Sequence, residues 1–134
     1  MDNDLQLTNV YESLSKAKLD LSVGIKIAHL AGDYNLSLYV AEIGPYKKVG
    51  AHYHLTGSEI YQIIEGEGEI HIGKVSNKNK VNWIISKTIK RGDCFLIKER
   101  EAHQLINKQE KKLIIQFYCA KSHLLDNRIM VSDV

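Results

Sequence analysis

Short apolar runs cut by turns dominate this chain and limit what it can become. Val23, Ile25 and Ile27 alternate with Gly24, Lys26 and Ala28, and a period of two predicts a strand. Similar runs follow at 36–43, 59–64, 69–72, 81–90, 94–98, 103–107 and 112–120. Turn chemistry separates them: Gly32-Asp33-Tyr34-Asn35, Gly44-Pro45, a tight turn at Glu65-Gly66-Glu67-Gly68, and a polar loop over 74–80 with Ser76-Asn77-Lys78-Asn79 at its tip. Asn9-Val10-Tyr11-Glu12 reads as a capping box and predicts a short helix to about Lys18. Many short strands with turn signals between them predict an all-β sandwich or barrel.

At 134 residues the chain is expected to form one domain around one core. A net charge of +2 gives no general affinity for nucleic acid or anionic membrane. No apolar run approaches the roughly 20 residues that span a bilayer. Met1-Asp2-Asn3-Asp4-Leu5 has neither the basic nor the apolar region of a signal peptide, so the expected location is cytoplasmic. Cys94 and Cys119 both lie in strand-like runs and read as buried free thiols, with a disulfide or a thiolate ligand as the alternatives. There is no internal repeat and no low-complexity linker.

The chemistry concentrates in His52-Tyr53-His54, Glu59 and His103. Side chains two apart on a strand share a face. His52 and His54 should therefore face the interior, with Tyr53 outward. Glu59, Tyr61 and Ile63 share a face of the next strand. Three imidazoles and a carboxylate suit one divalent transition metal: imidazole fits Zn, Fe, Ni or Cu, and carboxylate oxygen also admits Mn. Tyr61 is a candidate catalytic residue through its hydroxyl, against plain core packing. His29, His71 and His123 have no partner at such a spacing and read as surface or core histidines. Asn107 reads as structural, and Trp83 as packed in or on the sheet. Lys47, Lys48, Lys98 and Arg100 could form a basic rim for a phosphate or carboxylate. Glu99 and Glu101 dilute that field, and solvated turns are the plainer reading.

The stretch from His52 to Gly66 resembles the first motif of the cupin superfamily: His-x-His, three or four residues, Glu, six residues, Gly. Gly92, His103 and Asn107 match the Gly, His and Asn of the second motif. The Pro and Gly inside that second motif are Lys98 and Arg100 here, and the Gly expected six residues before His52 is Tyr46. The resemblance implies a cupin double-stranded β-helix, an RmlC-like jelly roll. With the short helix ahead of it, the expected organisation is an N-terminal segment, 1–20, and a single barrel domain, 21–134. The resemblance also implies that His52, His54, Glu59 and His103 hold one divalent metal (Mn, Fe, Zn or Ni), leaving positions open for a small molecule.

Three kinds of function follow from the resemblance. The first is a metal-dependent enzyme acting on a small organic acid or sugar (phosphate) derivative by isomerase, lyase or dioxygenase chemistry. The second is a non-catalytic binder in which the metal holds a small ligand. The third is a structural module in which the metal only stabilises the barrel. A homodimer is expected, because Ile60, Ile64 and Ile114 place apolar side chains on the outer strand face, which a second sheet or a partner must cover.

Overall fold

The computed structural model describes residues 5–21, 24–77, 80–124 and 127–134. One helix, α1 (Val10–Lys16), precedes ten strands: β1 (Ile25–Gly32), β2 (Ser37–Ile43), β3 (His52–His54), β4 (Glu59–Glu65), β5 (Glu67–Val75), β6 (Val81–Lys90), β7 (Cys94–Ile97), β8 (Glu101–Ile106), β9 (Leu113–Cys119) and β10 (Arg128–Met130). A 3-10 turn, Lys121–Leu124, links the last two. The strands form two five-stranded antiparallel sheets, β1-β2-β9-β4-β7 and β10-β3-β8-β5-β6. This is the all-β cupin jelly roll.

The core fills the space between the sheets. Ile43, Ile63, Leu113 and Ile115 of one sheet meet Ile70 and Leu105 of the other. Burying each such side chain is worth about 1.5–3 kcal/mol. The alternation on β4 follows from the period of two: Glu59, Tyr61 and Ile63 are buried while Ile60 is exposed.

Asn9 caps α1, its side-chain oxygen accepting from the amides of Tyr11 and Glu12. The helix covers the outer face of the first sheet. Leu14 packs with Leu30, Val40 and Ile114, and Ile64 joins them. The apolar outer positions at Ile64 and Ile114 are thus covered by the chain's own helix, while Ile60 and Leu96 remain exposed.

The tight turn at Gly66 is a corner that carries the chain from one sheet to the other, because β4 and β5 lie in different sheets. Two expectations change. Cys119 is a buried free thiol, but Cys94 is exposed, since it opens β7, an edge strand. Alternation sends Tyr53 to the face opposite its histidine neighbours, yet it too is buried. Val23, Lys78 and Asn79 lie outside the described residues. No helix among the described residues is long and apolar enough to cross a membrane.

Candidate metal centre

Strands β3 and β8 run side by side with His52 directly opposite His103. His54 lies two residues on, at the same face. Glu59 opens β4 in the facing sheet, so its carboxylate meets the imidazoles across the gap between the sheets. One donor atom from each of His52, His54, Glu59 and His103 lies within 4.8 Å of the others. All four residues are at most 5% exposed.

Backbone carbonyls set two of the tautomers. His52 Nδ1 lies 2.8 Å from the carbonyl of Gly50, and His103 Nδ1 lies 3.0 Å from that of Glu101. A carbonyl can only accept, so each Nδ1 carries a proton, and the neutral ring then presents its Nε2 lone pair to the site. Glu59 Oε1 sits 2.7 Å from His54 Nε2 and 3.5 Å from His103 Nε2. Neither contact has the alignment of a hydrogen bond: His54 Nε2, His103 Nε2 and Glu59 Oε1 are buried without a hydrogen-bond partner. Buried polar atoms without partners are costly and rare. Here they converge on one point, which fits a cation.

The electrostatics agree with that donor set. Burial, aided by His103, pushes the His52 imidazole down to about 3, so it stays neutral across the physiological range. Burial lowers His54 as well, against the pull of Glu59. For Glu59 burial opposes ionisation, but His103, His123 and His54 outweigh it and hold the carboxyl well below its usual range. Imidazoles of His52 and His54 biased toward the neutral form, beside an ionised carboxylate, are the protonation states that ligation needs.

A cavity of about 440 Å³ opens over this cluster. Its lining includes His52, His54, Glu59 and Tyr61, the apolar Ile115 and Phe117, and the exposed Lys18, Asp20 and Arg128. A larger groove of about 600 Å³ lies elsewhere, between Tyr46, Lys90, Arg91 and Lys111, and none of the four clustered residues lines it. The basic rim expected from Lys47, Lys48, Lys98 and Arg100 does not line the cavity. Lys48 pairs with Asp133 at 3.0 Å, and the amide of Arg100 binds the carbonyl of His54 at 2.7 Å. The cations at the mouth come instead from the segment after α1 and from β10. That short strand pairs with β3, setting Arg128 opposite His54, and is too brief to register as a run in the sequence.

Tyr61 is buried with its ring 5.9 Å from that of His103. Burial and the charge of Glu59 push its hydroxyl well above the ordinary phenol range. It can donate a hydrogen bond but does not ionise near neutrality.

Sequence reasoning passed over His123. It is 1% exposed, stacks on His54 with ring centroids 4.2 Å apart, and sets Nδ1 3.8 Å from Glu59 Oε2. It sits on the 3-10 turn after β9, outside both motifs; its only signal is the Cys119-x-x-x-His123 spacing. The other two histidines stay apart from the cluster: His29 is exposed beside Ser37 and Tyr39, and His71 pairs with Glu69 and meets Trp83 edge-on.

Solved structures with this architecture are numerous. An uncharacterized conserved protein with a double-stranded β-helix domain from Klebsiella pneumoniae subsp. pneumoniae MGH 78578 superposes with a TM-score of 0.74 at 18% identity, over 97% of this chain and 100% of that one. An oxalate oxidase in complex with glycolate gives 0.63 at 20% identity, over 79% of this chain and 56% of that one. A predicted oxalate decarboxylase from Thermotoga maritima gives 0.57 at 25% identity, over 72% and 79%. No curated protein matches by sequence. The profile described as polysaccharide biosynthesis C-terminal domain matches residues 27–128, a span that holds β3, β4 and β8 entire. The chain therefore belongs to the polysaccharide biosynthesis C-terminal domain family, and it carries that membership on a cupin barrel.

Proposed function

We propose that this protein is a metal-dependent cupin enzyme acting on a small sugar derivative or organic acid. His52, His54, Glu59 and His103 hold one divalent transition ion (Mn, Fe, Zn or Ni). The observation that carries this reading is the convergence of partnerless Nε2 atoms of His54 and His103 on Glu59 Oε1 beneath an open cavity. A bound ion there supplies a Lewis acid that polarises a substrate oxygen.

The chain's own residues define the rest of the site. Lys18 and Arg128, which outnumber Asp20 among the charged lining residues away from the clustered four, favour a substrate bearing a phosphate or carboxylate. Ile115 and Phe117 exclude water from one wall. Tyr61 serves as a neutral hydroxyl that donates a hydrogen bond to a developing negative charge. The family description favours a sugar derivative; the glycolate-bound oxalate oxidase favours a small hydroxy acid. Isomerase, lyase and dioxygenase chemistry all use such a site. The exposed Ile60 and Leu96 favour a homodimer through the outer face of the first sheet.

The test is elemental analysis of the purified protein beside a His52→Ala/His54→Ala variant, followed by turnover screens. Near-stoichiometric iron directs the screen to oxygen chemistry. Manganese, zinc or nickel directs it to sugar phosphates and carboxylic acids under isomerase, lyase and decarboxylase conditions. No metal after reconstitution, or equal metal in the variant, overturns the assignment. A retained ligand without turnover makes the protein a binder.

A further inference from the structure

Glu59 faces two ways. Its Oε1 lies among the motif histidines, while its Oε2 faces His123 Nδ1 at 3.8 Å, too far for a hydrogen bond. His123 Nε2 lies 2.8 Å from the carbonyl of Thr56 and so carries the ring proton in the neutral tautomer. In that tautomer Nδ1 has a lone pair, buried and without a hydrogen-bond partner; against the effect of burial, Glu59 raises the affinity of this ring for a second proton, which an ion at Nδ1 displaces. Cys119, a free thiol at the end of β9, completes the group: one donor atom each from Glu59, Cys119 and His123 lies within 4.8 Å of the others. The three residues are 3%, 4% and 1% exposed.

We propose that Glu59, Cys119 and His123 form a second metal position for a thiophilic ion, with the Glu59 carboxylate shared between it and the three motif histidines. An oxygen, a nitrogen and a sulfur donor with a fourth position open is a zinc-type set. The local fold presents both new donors together. Cys119 ends the strand, and the 3-10 turn, closed by the amide of His123 on the carbonyl of Ala120 at 3.0 Å, brings the imidazole back over it. Binding replaces the thiol proton of Cys119 with the ion and releases that proton to solvent. The second position rests on the first reading only in sharing Glu59, since neither Cys119 nor His123 belongs to the motif set.

The test titrates metal-free full-length protein with Cd²⁺ and, separately, with Co²⁺, reading stoichiometry and the near-ultraviolet thiolate-to-metal band. Wild type should take about two ions per chain and develop the band. Cys119→Ser should take about one fewer and show no band, and His123→Gln should weaken the band. His52→Ala should lose an ion yet keep the band. Circular dichroism verifies that each variant folds. A wild type that binds a single ion with no thiolate band overturns the second position, and loss of that ion in His52→Ala then leaves the first reading intact. A band that survives while His52→Ala loses nothing supports the second position and sinks the first reading instead.

Discussion

His123 lies face to face with His54, ring centroids 4.2 Å apart and planes within 10° of parallel. The stack has a specific consequence, because His54 is held differently from the other two motif histidines. His52 and His103 are oriented by backbone carbonyls at Nδ1; His54 Nδ1 has no hydrogen-bond partner. A neighbouring ring therefore does for His54 what a carbonyl does for the others. Replacing His123 with Phe keeps the ring and should leave metal affinity at the motif histidines nearly unchanged. Replacing it with Ala removes the support and should weaken that affinity by about 10-fold, in the range seen when groups orienting a ligand are lost. Competition against a chelator measures both, and equal affinity in the two variants would refute the orienting role.

The ligand assignment separates two histidines that are both buried. His103→Ala should lower metal affinity by more than about 100-fold, since it deletes a donor rather than an orienting group. His71 is also buried, but it binds Glu69 on the β5–β6 side of the barrel, so His71→Ala should leave metal content unchanged. Elemental analysis of the two variants side by side checks this.

Tyr46 and Arg100 occupy left-handed backbone, with φ of 59° and 62°. These are the two motif glycine positions that this chain fills with another residue, while Gly66 and Gly92 are kept. The turn shapes have been kept although the residue that favours them has not. Holding an L-residue there costs about 1–2 kcal/mol, and glycine offsets part of the relief by its greater freedom in the unfolded chain. Both side chains are exposed, so little packing is lost. Tyr46→Gly and Arg100→Gly should each stabilise the protein by about 0.5–1 kcal/mol, read as a higher urea midpoint with an unchanged slope. A lower midpoint would show that contacts of these side chains outweigh the strain.

Much of this architecture was legible in advance for an identifiable reason. The period of two on β4 placed Glu59 and Tyr61 inward, and the His-x-His spacing put two imidazoles on one face. What escaped depends on long-range placement. His123 reaches Glu59 only because the chain turns back after β9, and Arg128 reaches the rim only because three residues pair with β3. The covering of Ile64 and Ile114 by α1 required knowing where the helix docks. A strand pattern reports which face a side chain takes, not what lies opposite it.

Asn107 shows the same limit in a structural role. Fully buried, it donates through Nδ2 toward the carbonyls of Ile43, Gly44 and Lys111 and accepts from the amide of Gln109. It ties the end of β2 to the connection between β8 and β9. Asn107→Ala leaves these buried groups unpaired and should cost about 3 kcal/mol. Asn107→Asp keeps the shape but loses the donor, so it should be no better. Urea unfolding of both variants tests this, and a loss below about 1 kcal/mol would mean water replaces the amide.

Asp133 fastens the C-terminal tail next to the start of β3. Its carboxylate accepts from the amide of Ala51 at 3.0 Å and pairs with Lys48 at 3.0 Å. The amide of Ala51 is the main cause holding its carboxyl below the usual range; burial opposes it, and Lys48 adds to it. A folded-state value below the unfolded one means the contribution is present at neutral pH and is lost as pH falls below about 4. The Asp133 side chain is 38% exposed and that of Lys48 52%, so solvent screening keeps the contribution under about 1 kcal/mol. Asp133→Asn should therefore lower stability slightly at pH 7, the difference narrowing as pH falls below about 4 and closing once the wild-type carboxylate is protonated. Denaturant midpoints of both proteins across that range decide it: a gap that persists unchanged at the acidic end would assign the effect to tail packing rather than to charge.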